Sequence, residues 1–241
     1  MPYRSQNFEN GKIYHVVTRG IDDNKLFKNK NDYYRGIYSI YEFNTVKPTN
    51  IRERRSVRTR TKKLTRETNT YNIFDTRDHL IEILAFCLMP NHIHLLVRQL
   101  KYGGVTRFMN KFGAGYGGYF NRKYKRKGYV FQNRFISVEI KKDKQLKIVF
   151  AYIHGNPTSI IVPNWKEKGV NNLKLNKVVK FIEKYKWSSY SDYIGNNNFP
   201  SVTNREFLLQ LLNGERGCKE FVIDWIKYKG KIKIKDQILL D

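Results

Sequence analysis

Apolar residues recur along this chain in two periods, and the two alternate. Lys12-Ile13-Tyr14-His15-Val16-Val17-Thr18 is β-branched and aromatic and reads as a first strand, closed by Arg19-Gly20. Tyr34, Ile37, Tyr38 and Tyr41 then fall at helical spacing, predicting a helix from about Tyr33 to Asn44 with Asn31-Asp32 as its cap. Leu80 to Leu88 is an apolar run, Met89-Pro90-Asn91 is turn-like, and His92 to Gln99 follows as the next strand. So short a link joins only antiparallel neighbours, which makes these two strands a hairpin. A second helical pattern opens after Gly103-Gly104, runs from Val105 to Phe112, and continues less regularly to Asn121. Glycines weaken it there and give a partner's backbone room to approach. Phe135 to Ile140 is a fourth strand. Leu146, Val149, Phe150 and Ile153 mark the apolar face of a helix capped by Asp143, and Pro157 is expected to end it by disfavouring helical geometry at Asn156.

Strand, helix, strand, strand, helix, strand, helix is the order of an α+β, ferredoxin-like split βαβ fold, an antiparallel sheet with helices on one face. Beyond it lie a basic linker from Lys166 to Lys180, an aromatic patch from Trp187 to Tyr193 and a helix near Asn204 to Asn213. The expected division is one domain over residues 1–195 and a C-terminal helical extension over 196–241. A basic insertion at about 47–70 interrupts the first part; it reads equally as a solvated loop and as an arm that follows a phosphate backbone.

Composition adds a partner. Lys and Arg number 46 against 21 Asp and Glu, a net charge of +25, so the expected partner is a polyanion. Hydrophobic content of 40% and aromatic content of 15% argue against global disorder. There is no strongly basic amphipathic helix with a clean apolar face, which favours nucleic acid over lipid. No apolar run approaches the roughly eighteen residues of a membrane span, the N-terminal residues carry no secretory signal, and Cys87 and Cys218 make neither a disulfide framework nor a zinc knuckle. A cytoplasmic, nucleoid-associated protein without a membrane partner is expected. Arg122-Lys123-Tyr124-Lys125-Arg126-Lys127-Gly128-Tyr129 interleaves cations with aromatic rings. That mixture suits unpaired nucleic acid, whose phosphates take the cations and whose bases take the rings. Arg122, Lys123, Tyr124, Lys125, Arg126 and Lys127, with Arg134, are therefore DNA-binding candidates; a solvated loop is the competing reading.

Chemistry enters at His92-Ile93-His94. On a strand, positions i and i+2 share a face, so the two imidazoles point one way and Ile93 points into the core. Alone, the pair is half of a metal site or two hydrogen-bonded structural histidines. Tyr152 and Asn156, four apart, share a helix face, while His154 points elsewhere. Two imidazoles and an amide oxygen suit Mg²⁺ or Mn²⁺ when phosphate and water complete the shell. A tyrosine beside such a metal suggests nucleophilic attack on phosphorus. Tyr116 and Tyr119 are rival nucleophiles, Asn156 doubles as a helix C-cap, and His15 and His79 read as structural or surface residues.

Phe86-Cys87-Leu88-Met89-Pro90-Asn91-His92-Ile93-His94-Leu95-Leu96 resembles the HUH motif of single-strand DNA transposases with one catalytic tyrosine. Tyr152-Ile153-His154-Gly155-Asn156-Pro157 resembles the corresponding segment of their REP-associated tyrosine transposase branch. Tyr14 to Gly20, Val130 to Phe135 and Trp187-Ser188-Ser189-Tyr190 are similar to further segments of that branch, in the same order. The resemblance implies cleavage of single-stranded DNA at hairpin-marked sites through a 5′-phosphotyrosine intermediate, followed by rejoining. It implies Tyr152 as nucleophile, His92, His94 and Asn156 as ligands of the divalent cation, and a monomer or homodimer. Gly155 departs from it, standing where those transposases carry a larger apolar residue, and is expected to loosen the turn that holds Asn156. Two alternatives share some of these features: an HUH-type nickase acting as replication initiator, and a non-enzymatic single-stranded nucleic-acid-binding protein.

Overall fold

In the computed structural model the described residues are 7–49, 53, 56, 75, 77–132 and 134–229. Most of the 47–70 insertion, and residues 230–241 of the C-terminal extension, lie outside them. Four strands, β1 (Ile13–Arg19), β2 (Ile81–Leu88), β3 (His92–Gln99) and β4 (Ile136–Ile140), form one sheet in the order β2-β3-β1-β4. Every pairing is antiparallel. Helix α1 (Lys30–Phe43) connects β1 to β2, and α2 (Gly104–Lys123) connects β3 to β4. Helix α3 (Asp143–Gly155) follows β4. This is the split βαβ arrangement that the order of apolar runs predicts.

The expectation that the helices share one face holds for α1 and α2 alone. Tyr14, Val16, Ile83, Phe86, Leu88, Ile93 and Leu95 pack with Ile37 and Ile40 of α1 and Phe108, Phe112 and Tyr116 of α2. The opposite face, with Leu84, Ala85, Cys87 and Leu96, packs against Leu146, Val149, Phe150 and Ile153 of α3. Both faces are buried because the inner strands are apolar at successive positions; β1 and β3 each bury the five residues that follow their first. The same second core takes in Leu208, Cys218, Val222, Trp225 and Ile226. Leu208 belongs to α8 (Glu206–Leu211) and the other four to α9 (Gly214–Tyr228), and α9 lies against α3.

The region read as a basic linker from Lys166 to Lys180 is helical instead. After α4 (Thr158–Ile161) come α5 (Trp165–Lys168) and α6 (Asn172–Lys184), then α7 (Tyr190–Tyr193). Trp165, Val178 and Ile182 are buried in the second core, so widely spaced apolar residues suffice to fold the segment. The Trp187 to Tyr190 segment seals the outer edge of β2: Leu88 N donates to Trp187 O at 2.8 Å, Ser189 N donates to Phe86 O at 3.0 Å, and Ser188 bridges to Cys87.

Two local expectations change. The cap of α1 is Asn29, whose side chain accepts from the amides of Asn31 and Asp32, while the Asp32 carboxylate accepts from the Lys28 and Asn29 amides. Helix α2 runs unbroken through its glycines to Lys123. Gly115 explains part of that: a Cβ there would lie 2.0 Å from the Phe43 ring, so the glycine is what lets α1 and α2 meet.

Candidate active site

The strand register builds the site. His15 faces Leu96, Val17 faces His94 and Arg19 faces His92 across the β1–β3 pair. His92 and His94 therefore share a face, as the spacing predicts, and Ile93 is fully buried in the core on the other side. Residues 89–91 hold the hairpin end in place. Pro90 O accepts from the amides of Leu26 and Phe27, Asn91 O accepts from Gly20 N at 2.7 Å, and Asn91 Oδ1 lies 2.8 Å from His92 Nδ1.

Helix α3 supplies the second half. Asn156 keeps right-handed helical geometry (φ −53°, ψ −40°) despite Pro157, so the expected break falls after it. Its amide N–H donates to Tyr152 O at 3.0 Å, which keeps the two residues one turn apart. Both meet the histidines. Asn156 Nδ2 is 3.2 Å from His94 Nε2. The Tyr152 ring meets His94 edge-on at 5.4 Å between centroids, and His92 meets His94 edge-on at 4.8 Å.

Two residues join this cluster that pattern reasoning placed elsewhere. His15 is fully buried, with its Nε2 3.0 Å from His94 Nδ1 and its ring 5.8 Å from that of Tyr152. The signal for it was an imidazole on a strand otherwise apolar enough to be central. Lys166, in α5, donates from Nζ to the Tyr152 hydroxyl at 3.3 Å and lies 4.8 Å from its ring centroid. Nothing local in the sequence marks it; tertiary packing alone brings it there. Burial holds the His94 imidazole well below its ordinary range, helped by His92, His15, Lys166 and Arg19, so it is neutral and able to give a lone pair.

The other candidates sit apart. Tyr116 donates its buried hydroxyl to Leu26 O at 2.7 Å, and Tyr119 donates to Asp32 Oδ1 at 2.8 Å, both in the α1–α2 layer behind the sheet. His154 is turned away, its Nε2 2.8 Å from Ser189 Oγ, and burial pushes its pKa down to about 3. In the basic run, Lys123 and Tyr124 both bind the buried Asp32 carboxylate and fasten α2 to α1. Arg122, Lys125 and Lys127 are exposed, Arg126 lies over the Phe120 ring, and Arg134 is exposed on the rim of a groove along α2. None of these is in the histidine–tyrosine cluster.

Among the described residues no group of three or more His, Cys, Asp or Glu is placed to hold a metal ion. His92, His94 and Asn156 together offer two imidazoles and one amide, a set that a hard cation would have to complete from phosphate and water.

The model of the family described as "Transposase IS200 like" matches residues 11–156, which span every strand and both halves of this cluster. The chain belongs to the IS200-like transposase family. It is accordingly a member of a family of DNA-processing enzymes. No curated protein matches it. Among solved structures, a REP-associated tyrosine transposase bound to a REP hairpin is similar at 15% identity over 86% of this chain and 96% of that one, with a TM-score of 0.45. A tRNA(His) guanylyltransferase from Saccharomyces cerevisiae is similar at 10% identity over 98% and 86%, with a TM-score of 0.31. Among the described residues, no helix of the transposase is long and apolar enough to cross a membrane.

Proposed function

We propose that this transposase cleaves and rejoins single-stranded DNA, at sites marked by hairpins, through a covalent link to Tyr152. The observation that carries the reading is the meeting of the Tyr152 ring with the His94 imidazole, from a helix and a strand 58 residues apart (152−94 = 58). The Tyr152 oxygen forms a bond to phosphorus as the bond from phosphorus to the 3′ oxygen breaks. The upstream strand leaves with a 3′-OH, which overall receives the phenolic proton, and the 5′ phosphate stays on Tyr152. Attack by a 3′-OH reverses the exchange and joins strands, so no external energy source is needed.

His92, His94 and Asn156 would hold Mg²⁺ or Mn²⁺, which when bound polarises the scissile phosphate and stabilises the charge that builds on it. Lys166 orients the Tyr152 hydroxyl and places an ammonium beside the phosphate that the hydroxyl attacks. Arg19, opposite His92, adds a second cation at the same end of the sheet. The exposed cations Arg122, Lys125, Lys127 and Arg134 supply sequence-independent attraction to the DNA backbone.

Labelled hairpin-bearing single-stranded DNA, incubated with the protein and Mg²⁺ or Mn²⁺, tests this. A protein–DNA adduct is expected to survive a denaturing gel and to be lost in His92→Ala, with circular dichroism unchanged. DNA binding without any adduct on cognate flanking DNA would instead support the non-enzymatic binding protein.

A further inference from the structure

His15 enters no step above, yet it is fully buried in a central strand and bonded to a candidate ligand. The direction of that bond follows from the groups around His94. Asn156 Nδ2 lies 3.2 Å from His94 Nε2. An amide nitrogen only donates, so Nε2 is the accepting nitrogen and carries the lone pair. A neutral imidazole has one ring proton, which is then on Nδ1. That proton points at His15 Nε2, 3.0 Å away, which accepts it. The bonds from Asn156 to His94 to His15 thus run in one direction.

We infer that His15 is a positioning residue: by accepting the Nδ1–H of His94, it keeps the proton off His94 Nε2, so that this nitrogen's lone pair, which takes the Asn156 amide N–H here, is available to a cation in its place. The inference rests on the proposed reaction for its purpose, though not for its geometry. Without an acceptor at Nδ1 that proton is buried unpaired, and the Nε2–H form, with the Asn156 amide turned so that its oxygen accepts, closes off the lone pair. The buried His15 ring also fills space against His94, stacked at 5.3 Å between centroids, and against Tyr152. Packing and acceptance are separable by substitution. His15→Phe keeps a ring and removes the acceptor; His15→Gln sets an amide oxygen close to where Nε2 stands.

The test reads the tautomer directly. Long-range ¹H–¹⁵N spectra of the metal-free, full-length protein are recorded, with His94 assigned among the five histidines by its loss in His94→Ala. The Nδ1–H form of His94 is expected in wild type and in His15→Gln, and the Nε2–H form in His15→Phe. Mn²⁺ affinity, followed by electron paramagnetic resonance with single-stranded oligonucleotide present, is expected to fall about tenfold or more in His15→Phe and to stay within about threefold in His15→Gln. An Nε2–H His94 in wild type overturns the inference without any variant having to fold. So does a folded His15→Phe that keeps both the tautomer and the affinity. A wild type that shows the Nδ1–H form but forms no adduct contradicts the proposed reaction instead, and leaves the hydrogen bond as measured.

Discussion

Gly155 shows how a single residue shapes the site from outside it. A Cβ there would sit 3.4 Å from both Trp165 and Ile226 and 3.5 Å from Trp225, already at contact. The absent side chain is the space in which Trp165 seats, and the next residue is Lys166, which reaches Tyr152. The expected loosening of the turn is therefore not what the structure has: the glycine allows a tight fit. Gly155→Ala is expected to be mild. Gly155→Leu is expected to cost about 1–3 kcal/mol in urea denaturation through overpacking, and to slow adduct formation by displacing Lys166. The charges around His94 lead to a second expectation. Lys166 and Arg19 lie close enough to disfavour a cation there on its own. Mn²⁺ is expected to bind more tightly when a single-stranded oligonucleotide is present, because its phosphates offset both cations; equal affinity with and without DNA would contradict this. The shared face of His92 and His94 was legible because strand periodicity is two. Lys166 was not, because its approach to Tyr152 depends on where two tryptophans pack.

Among the elements, α1 and α2 are joined by one buried carboxylate. Burial alone would raise the pKa of Asp32, but bonds from Lys123, Tyr124, Tyr119 and the Lys28 amide outweigh it and hold the group below its ordinary 3.8. A depressed folded pKa means stability that is present above about pH 4 and lost as pH falls through the lower value. Asp32→Asn is expected to cost about 2–4 kcal/mol at pH 7, with the gap to wild type closing towards pH 2 in urea denaturation. The glycines of α2 divide by what surrounds them. A Cβ at Gly113 meets nothing within 4 Å, whereas one at Gly115 collides with Phe43. Gly113→Ala is expected to stabilise by about 0.5–1 kcal/mol through helix propensity, and Gly115→Ala to destabilise by about 1–3 kcal/mol; thermal melts distinguish the two. Propensity made the end of this helix hard to read from sequence, because the compensation for its glycines is a ring contributed by α1. The basic run was legible as charge but not as structure: the Lys123 ammonium and the Tyr124 hydroxyl are both taken up by Asp32.

For the molecule as a whole, the order of apolar runs was enough to specify the sheet, since each strand and crossover left its own period. What it did not separate was the second layer. Helices α8 and α9 share a core with α3, so the tyrosine helix is held from the sheet side and from the C-terminal side together. The outcome is one face of a sheet where His15, His92, His94, Tyr152, Asn156 and Lys166 converge, on a chain of net charge +25 suited to a polyanion. The most direct measurement is to digest the protein–DNA adduct with protease and identify the DNA-linked peptide by mass spectrometry. The link is predicted on Tyr152, and Tyr152→Phe is predicted to give no linked peptide while binding the same DNA. A nucleotide on Tyr116, Tyr119 or any other residue, or an adduct that persists in Tyr152→Phe, would contradict the account.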